Sequence, residues 1–586
     1  MLRNARLQSG YRFFAVLLTL LMAACGGGSD DGTVVANPPG GGNTGGGGTG
    51  GGGGGGNTPP PSYSIIDSPD IAQRFLSTAT FGGTTAEINA LVGRDAAEWL
   101  AEEFAKPAVT YTDRVLPSID RFTDQPFQAR AARPVHSDLF WQAAIEGDDQ
   151  LRHRALFALS QIVVAGQSVR PNHAHKHGFY MDAIYTNAFG NYKDLLTDVT
   201  YTPSMADYLT YRGSRRADAN GRLPDENYAR EILQLFSIGL IELNMDGSPR
   251  LVNGEQVETY DNDDIVNLSR VFTGFDFDRT QNPEWMMWSV PLAYFDNRHS
   301  PEAKNFLNVS IPANTDGPTS VSLAIDGIFA HQNVAPFVSR QLIQRFTMSA
   351  PPPEYIERVA TAFENGRFEA ANGRVFGTGT RGDLEATIAA VLLDQLMFED
   401  TVDGKLREPV LRFLHVVRAL EMAPVDIPAE TRLRDSSDTG TSLGQHPFRP
   451  PSVFNFYRPG YIAPNTVSGQ QGLTAPELQI VNGASSIGYV NFVGDYIFNR
   501  TPDGGSDAFT PNYDPLTAIA DDPATLVQAV NDLLTGGRLT QSEFDDIEQA
   551  ITAMPFRTTN IDNDRLKRAQ LAVFLVANSG TFAVVQ

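Results

Sequence analysis

Cysteine is almost absent: Cys25 stands alone in 586 residues. A chain with one thiol forms no internal disulfide and no multi-cysteine metal site. Positive charge is also short, with 45 lysines and arginines against 68 aspartates and glutamates, a formal net charge of −23. Nucleic acid and anionic lipid surfaces are bound through basic patches, so so acidic a chain suits neither. After the first residues no apolar run approaches the roughly 18 residues that a spanning helix needs. Alternating strand patterns are scarce. There is no G-x-S-x-G elbow, Walker loop, H-E-x-x-H or C-x-x-C. Nucleophilic serine hydrolases and nucleotide enzymes are thereby disfavoured.

What is present begins with a leader. Arg3, Arg6 and Arg12 precede an apolar run from Phe13 to Ala24, too short to span a bilayer, and small residues lead into Cys25. Residues 1–24 read as a secretory signal peptide. Leu21-Met22-Ala23-Ala24-Cys25 resembles a bacterial lipobox, with Met where Leu is usual three places before the cysteine. Cys25 is read as the lipidation site, against the alternative of a stray thiol in a discarded leader. Gly26, where Asp would signal retention, favours the outer membrane by resemblance to Gram-negative sorting rules, with the protein facing the periplasm or the cell surface. Losing the leader's three arginines takes the net charge from −23 to −26. Residues 25–62 are mostly Gly, Asn, Thr and Pro and read as a flexible tether.

Length alone suggests about three or four domains, but residues 63–586 read as one large domain, mainly α, with many helices, long ordered loops and little β structure. Ser68-Pro69 starts a helix, and Thr84-Thr85-Ala86-Glu87 is a capping box for the next. Amphipathic helices fit Leu151–Val164, Asp225–Leu243, Asp263–Phe272, Val334–Ser349, Pro353–Glu364 and Lys405–Leu420, among others. Leu251 to Thr259 suits a short hairpin around Asn253-Gly254. Ile480–Phe498 fits helix and strand equally, and Ala423–Gln479 reads as a long structured loop across the helices.

Several stretches together carry a resemblance. They are Arg74-Phe75-Leu76, Ala79-Thr80-Phe81-Gly82, Trp99-Leu100, Phe157 to Ile162, Asn187 to Tyr192 and Asp225 to Glu231. Phe272-Thr273-Gly274, Asn333 to Arg345, Gly404 to Pro409 and Pro451 to Gly460 continue it. In this order, from about residue 70 to the end, the chain resembles the bacterial family called domain of unknown function 1800. The resemblance implies an exported, helical protein, often encoded beside a sulfatase-like companion family, domain of unknown function 1501. It implies no chemistry and no cofactor.

The candidate site centres on Asp225 to Phe236. Wound as a helix, this stretch puts Glu226, Asn227, Arg230 and Gln234 on one face with Glu231 just beyond, and Tyr228, Ile232, Leu235 and Phe236 on the other. In an enzyme Glu226 and Glu231 are acid/base candidates or metal ligands, Arg230 an anion clamp and His299 an auxiliary proton carrier. The plainer alternative pairs Glu226 with Arg230 across one helical turn, with Asp225 as the cap.

Other features carry two readings as well. His173, His175 and His177 could grip a metal if extended, but Pro171 and Asn172 suggest a loop. His299 and Lys304 sit on a loop-like stretch, where the family tends to place a His and a Lys. Asp261 to Asp264 reads better as a helix cap than as a calcium loop. Lys405, Arg407 and Glu408 could frame an anion site or a salt-bridged turn. Phe454, Phe456, Tyr457 and Tyr461 could stack on a sugar beside Arg458 or anchor a buried loop.

Two functions follow as expectations. The first is a lipid-anchored envelope protein processing an envelope or extracellular polymer in an acidic polar pocket. The second is a non-enzymatic lipoprotein subunit docking or supporting a partner, the sulfatase-like companion included.

Overall fold

Helix starts in this chain are fixed by short polar side chains. In a computed structural model, Thr84 accepts from the backbone N–H of Glu87 at 3.2 Å, and Glu87 returns the bond to Thr84 N–H at 2.8 Å. The helix Thr85–Leu91 follows. Glu87 also takes a two-pronged bond from Arg418 at 2.7 and 2.9 Å, tying that helix to Pro409–Ala419. Asp261 and Asp264 form the same reciprocal box at the head of Asn262–Val271, so these aspartates are a cap. Asn253 and Gly254, with φ of 54° and 88°, turn the chain between Leu251–Val252 and Glu255–Gln256. Both positive angles match the turn favoured by tight hairpins.

The structure describes residues 64–119, 135–166, 173–281, 284–399, 404–424, 435–499 and 509–585. The leader 1–24, Cys25 and the tether 25–62 lie outside them. Residues 61–586 cluster as one compact unit. The fold is mainly α, and its sheets are short two-stranded antiparallel pairs. The stretch 480–498 resolves as a helix, Gly483–Ile497, capped by Asn482. Near the chain's end Val584 pairs with Leu406 and Val585 with Lys405, which pins the start of Pro409–Ala419. Helix Gln150–Ser160 runs through the interior, buried on every side from Gln150 to Leu159. Beside it, Val334–Phe346 packs against Pro353–Asn365. The described part of the long loop crosses these helices, with Ser436, Gln445, Asn455, Tyr457 and Glu477 buried.

Three elements differ from expectation, one of them at Lys405 and Leu406, read as the start of a helix but forming a strand, with the helix beginning at Pro409. The central helix covers Asn227–Gln234 only, not Asp225–Leu243. Gly239 adopts φ +71°, Ile238 and Gly239 both donate to the carbonyl of Leu233, and Ser237 Oγ donates to that of Ile232. Those bonds close the helix before its apolar periodicity runs out. A side chain at Gly239 would also strike the Phe337 ring, its Cβ only 2.8 Å away. His173 to His177 form neither strand nor loop: His173 is the cap residue of helix Ala174–Thr186. Trp288 stacks on His173 at 3.4 Å, Trp285 lies tilted against His175 at 4.7 Å and His136 against His177 at 4.9 Å, so all three imidazoles are buried among rings from other parts of the chain.

Candidate functional site

Glu226 sits at the N-cap of the central helix, and its carboxylate lies 3.6 Å from Arg230 Nη2, both side chains about two-fifths exposed. Asp225 accepts from the N–H of Asn227 and from Thr210 Oγ1, each at 3.0 Å, and so satisfies part of the first turn. An ion pair this exposed stabilises by about 0–1 kcal/mol. Arg230→Gln is therefore expected to change unfolding free energy by no more than about 1 kcal/mol in urea titration; a loss of several would mean that the pair is buried in solution. Glu226 borders an open concavity with Arg212, Arg215 and Arg222.

Glu231, the next residue after Arg230, is buried, and its Oε2 has no hydrogen-bond partner. Burial raises its pKa, partly opposed by Arg230. A carboxyl whose native pKa lies above its unfolded one favours the fold while protonated, and that contribution fades as pH rises through the native value. Glu231→Gln is accordingly expected to raise the melting temperature at pH 7. The gain should vanish below about pH 4.3, the ordinary glutamate value.

His299 lies elsewhere, buried against the hairpin Phe275–Asp276 and Ala293–Tyr294. Its Nδ1 is 2.8 Å from the carbonyl of Thr273, which makes Nδ1 the protonated nitrogen, and Nε2 faces Ser320 Oγ at 3.5 Å. Burial holds its pKa below the usual histidine range. Lys304 donates to the carbonyl of Ser300 at 3.1 Å. Neither Arg230 nor His299 borders the concavity beside Glu226.

The other motifs disperse. Lys405 pairs with Glu477, Arg407 meets His415 Nδ1 at 2.6 Å, and Glu408 accepts from Gln161 Nε2 at 2.9 Å, so the three charges point to three places. Among the described residues no three His, Cys, Asp or Glu side chains converge in a way that could hold a metal ion. Phe456 and Tyr457 are buried loop anchors, whereas Phe454 is exposed.

What the chain does build lies at the other end of the central helix: a concavity of about 340 Å³. Gln234 and Leu235 end the helix on its wall, and residues 239–243, 161–164 and 453–460 close the sides. Helix Val334–Phe346 supplies Phe337, Arg340, Gln341 and Arg345, spaced to fall on one face. No Asp or Glu lines it. Arg345 is 2% exposed and its guanidinium lies 4.8 Å from the Tyr457 ring centroid, yet Nε and Nη1 have no hydrogen-bond partner. Gln341 Nε2 and Arg340 Nε are likewise buried and unpartnered.

Charge sharpens this picture. Burial lowers the pKa of Arg340, with no carboxylate acting against it, and that of Arg345, opposed by Glu408 and Glu477. Arg154, whose Nη2 donates to the carbonyl of Arg345, is pushed down to about 10 by its burial, opposed by Glu408. All three stay protonated at neutral pH. A buried charge with unpaired N–H groups is expensive, and an anion in the concavity, which Arg340 and Arg345 line, would offset that charge. A larger concavity of about 750 Å³, bordered by Asp70, Glu421 and Asp532, has no unpartnered buried side-chain atom in its lining. The smaller one is the stronger site.

A family model described as "Protein of unknown function (DUF1800)" matches residues 74–584. The chain belongs to this family. No curated protein and no solved structure matches it. In this DUF1800 member three stretches that carry the resemblance, Phe157–Ile162, Asn333–Arg345 and Pro451–Gly460, meet at the arginine pocket. Arg340, Gln341 and Arg345 lie within the Asn333–Arg345 stretch of the resemblance, which assigns them no role. The signal for them was the spacing of Phe337, Arg340, Gln341, Gln344 and Arg345 along one side of a helix.

Proposed function

We propose that this is an exported, lipid-anchored envelope protein whose arginine pocket captures the anionic group of an organic ligand. The observation that carries the reading is the pair of guanidinia, Arg340 and Arg345, with unpartnered N–H groups in a pocket without carboxylates. The pocket's other polar side chains are amides and Arg458. A ligand there meets donors but no acid or base, so retention fits better than conversion. This favours the non-enzymatic class, in which Leu240 and Phe454 on the exposed rim would also face a docked partner such as the sulfatase-like companion. Polymer processing through Glu226 and Glu231 is the second reading, supported by the unpartnered Oε2 of Glu231.

The test is a thermal-shift series on the mature protein. Small organic anions are expected to raise the melting temperature, as any ligand of the native state does. Neutral or cationic analogues should leave it unchanged. Equal effects from all three would remove the anion-capture reading. The anchor is tested apart from this: Cys25→Ser should leave a folded protein that no longer sediments with membranes. If it still sediments, Cys25 is not the anchor.

A further inference from the structure

We infer that the ligand presents its charge as a terminal carboxylate on an apolar body. This rests on the anion-capture reading and narrows it. The most buried polar side chains of the lining are Arg345, Gln161 and Gln341, 2%, 4% and 5% exposed, and of these Arg345 and Gln341 keep unpartnered donors. At the mouth stand Leu240 and Phe454, 53% and 37% exposed. Between them the lining is mainly aliphatic, Ile162, Val164, Leu235 and Ile241, with the half-buried amide of Gln234 beside Leu235.

An anion that reaches Arg345 therefore lays the atoms behind it against hydrocarbon. Hydroxyls placed there would lose water without gaining partners. Gln161 cannot rescue them. Its Oε1 already accepts from Asn455 Nδ2 and Tyr457 OH, each at 3.1 Å, and its Nε2 donates to Glu408. Gln234 offers one amide for the several hydroxyls of a sugar. Arg458 is exposed at the mouth and lies 4.8 Å from the Phe454 ring, a cation placed to attract an anion inward. The planar fork of a guanidinium matches a carboxylate edge to edge. A sugar acid meets the charge requirement but not the apolar one, whereas a short acyl chain or the end of an apolar peptide meets both.

Calorimetric titration of the mature protein with acetate, butyrate, hexanoate and glucuronate tests this. The dissociation constant is expected to fall roughly three- to four-fold for each added methylene up to hexanoate, the value for burying one such group. Glucuronate, with as many carbons as hexanoate, should bind at least about ten-fold more weakly, its hydroxyls unpaired. Hexan-1-ol, lacking the charge, should not bind. A tetrapeptide of apolar residues with a free C-terminus, set against its amide, identifies the source. Binding of the acid form alone supports a chain end, and tighter binding of hexanoate supports a free acid.

Hexanoate no tighter than acetate, or glucuronate tighter than hexanoate, overturns the inference while leaving an anion site. Binding by none of these anions overturns both. Leu235→Ser keeps the arginines and should flatten the chain-length dependence without loss of acetate. Arg345→Gln should abolish binding, and Arg340→Gln serves if that variant does not fold. Unchanged hexanoate affinity in Arg340→Gln contradicts the placement of the charge.

Discussion

Lys405→Met is expected to destabilise the protein by about 3–5 kcal/mol, the usual result of breaking a buried ion pair from one side. Lys405 and Glu477 are both buried and paired with each other. Lys405 Nζ also donates to the carbonyl of Gln344 at 2.8 Å, and Glu477 accepts from Ser349 Oγ at 2.9 Å. Methionine fills the volume but leaves Glu477 charged in the interior with one neutral donor. Lys405→Met with Glu477→Leu should recover most of the loss, because an apolar pair of similar size is often as stable. Denaturant titration of the two variants decides it, and a loss below about 1 kcal/mol in the single variant would indicate a solvated pair.

This network reaches the pocket. Gln344 Nε2 donates to the carbonyls of Ser349 at 3.1 Å and Pro459 at 2.9 Å, so it holds the loop that carries Val453 to Gly460. Any ligand affinity should weaken in Lys405→Met alongside stability.

Arg340→Met is expected to do the reverse, raising the stability of the ligand-free protein while impairing capture. Arg340 is half-buried, its Nε has no partner and no carboxylate opposes its burial. Relieving an unsatisfied donor at a half-buried site should stabilise by about 1 kcal/mol, the low end of the range for such groups. A hydrogen bond to a charged group contributes about 1.5–3 kcal/mol, so anion affinity should fall about ten-fold or more. Stability rising as binding falls is the pattern of a site maintained for function. A destabilised Arg340→Met with unchanged affinity would mark the arginine as structural.

Local chemistry was legible in the sequence, and tertiary chemistry was not. Thr84 with Glu87, Asp261 with Asp264, and Asn253-Gly254 each act within a few residues, and each is where its spacing put it. The polar face of the central helix was legible through Gln234, which lines the pocket. The end of that helix is not legible in the sequence because Leu235 and Leu240 continue a helical period. Leu240 is instead exposed at the pocket mouth beyond the turn at Gly239. Burial of His173 and His175 depends on Trp288 and Trp285, which no local pattern connects to them. Arg340 and Arg345 look in sequence like ordinary helix arginines. Only the fold reveals that no carboxylate lines their pocket.

The most direct measurement follows the arginine side-chain Nε–H signals by NMR in the mature protein, titrated with hexanoate at constant ionic strength. Signals are assigned by their loss in Arg340→Lys, Arg345→Lys and Arg230→Lys. The account predicts that Arg340 and Arg345 shift together along one saturating curve while Arg230 stays still. A moving Arg230 beside unmoved Arg340 and Arg345 would contradict it and return the site to Glu226 and Arg230.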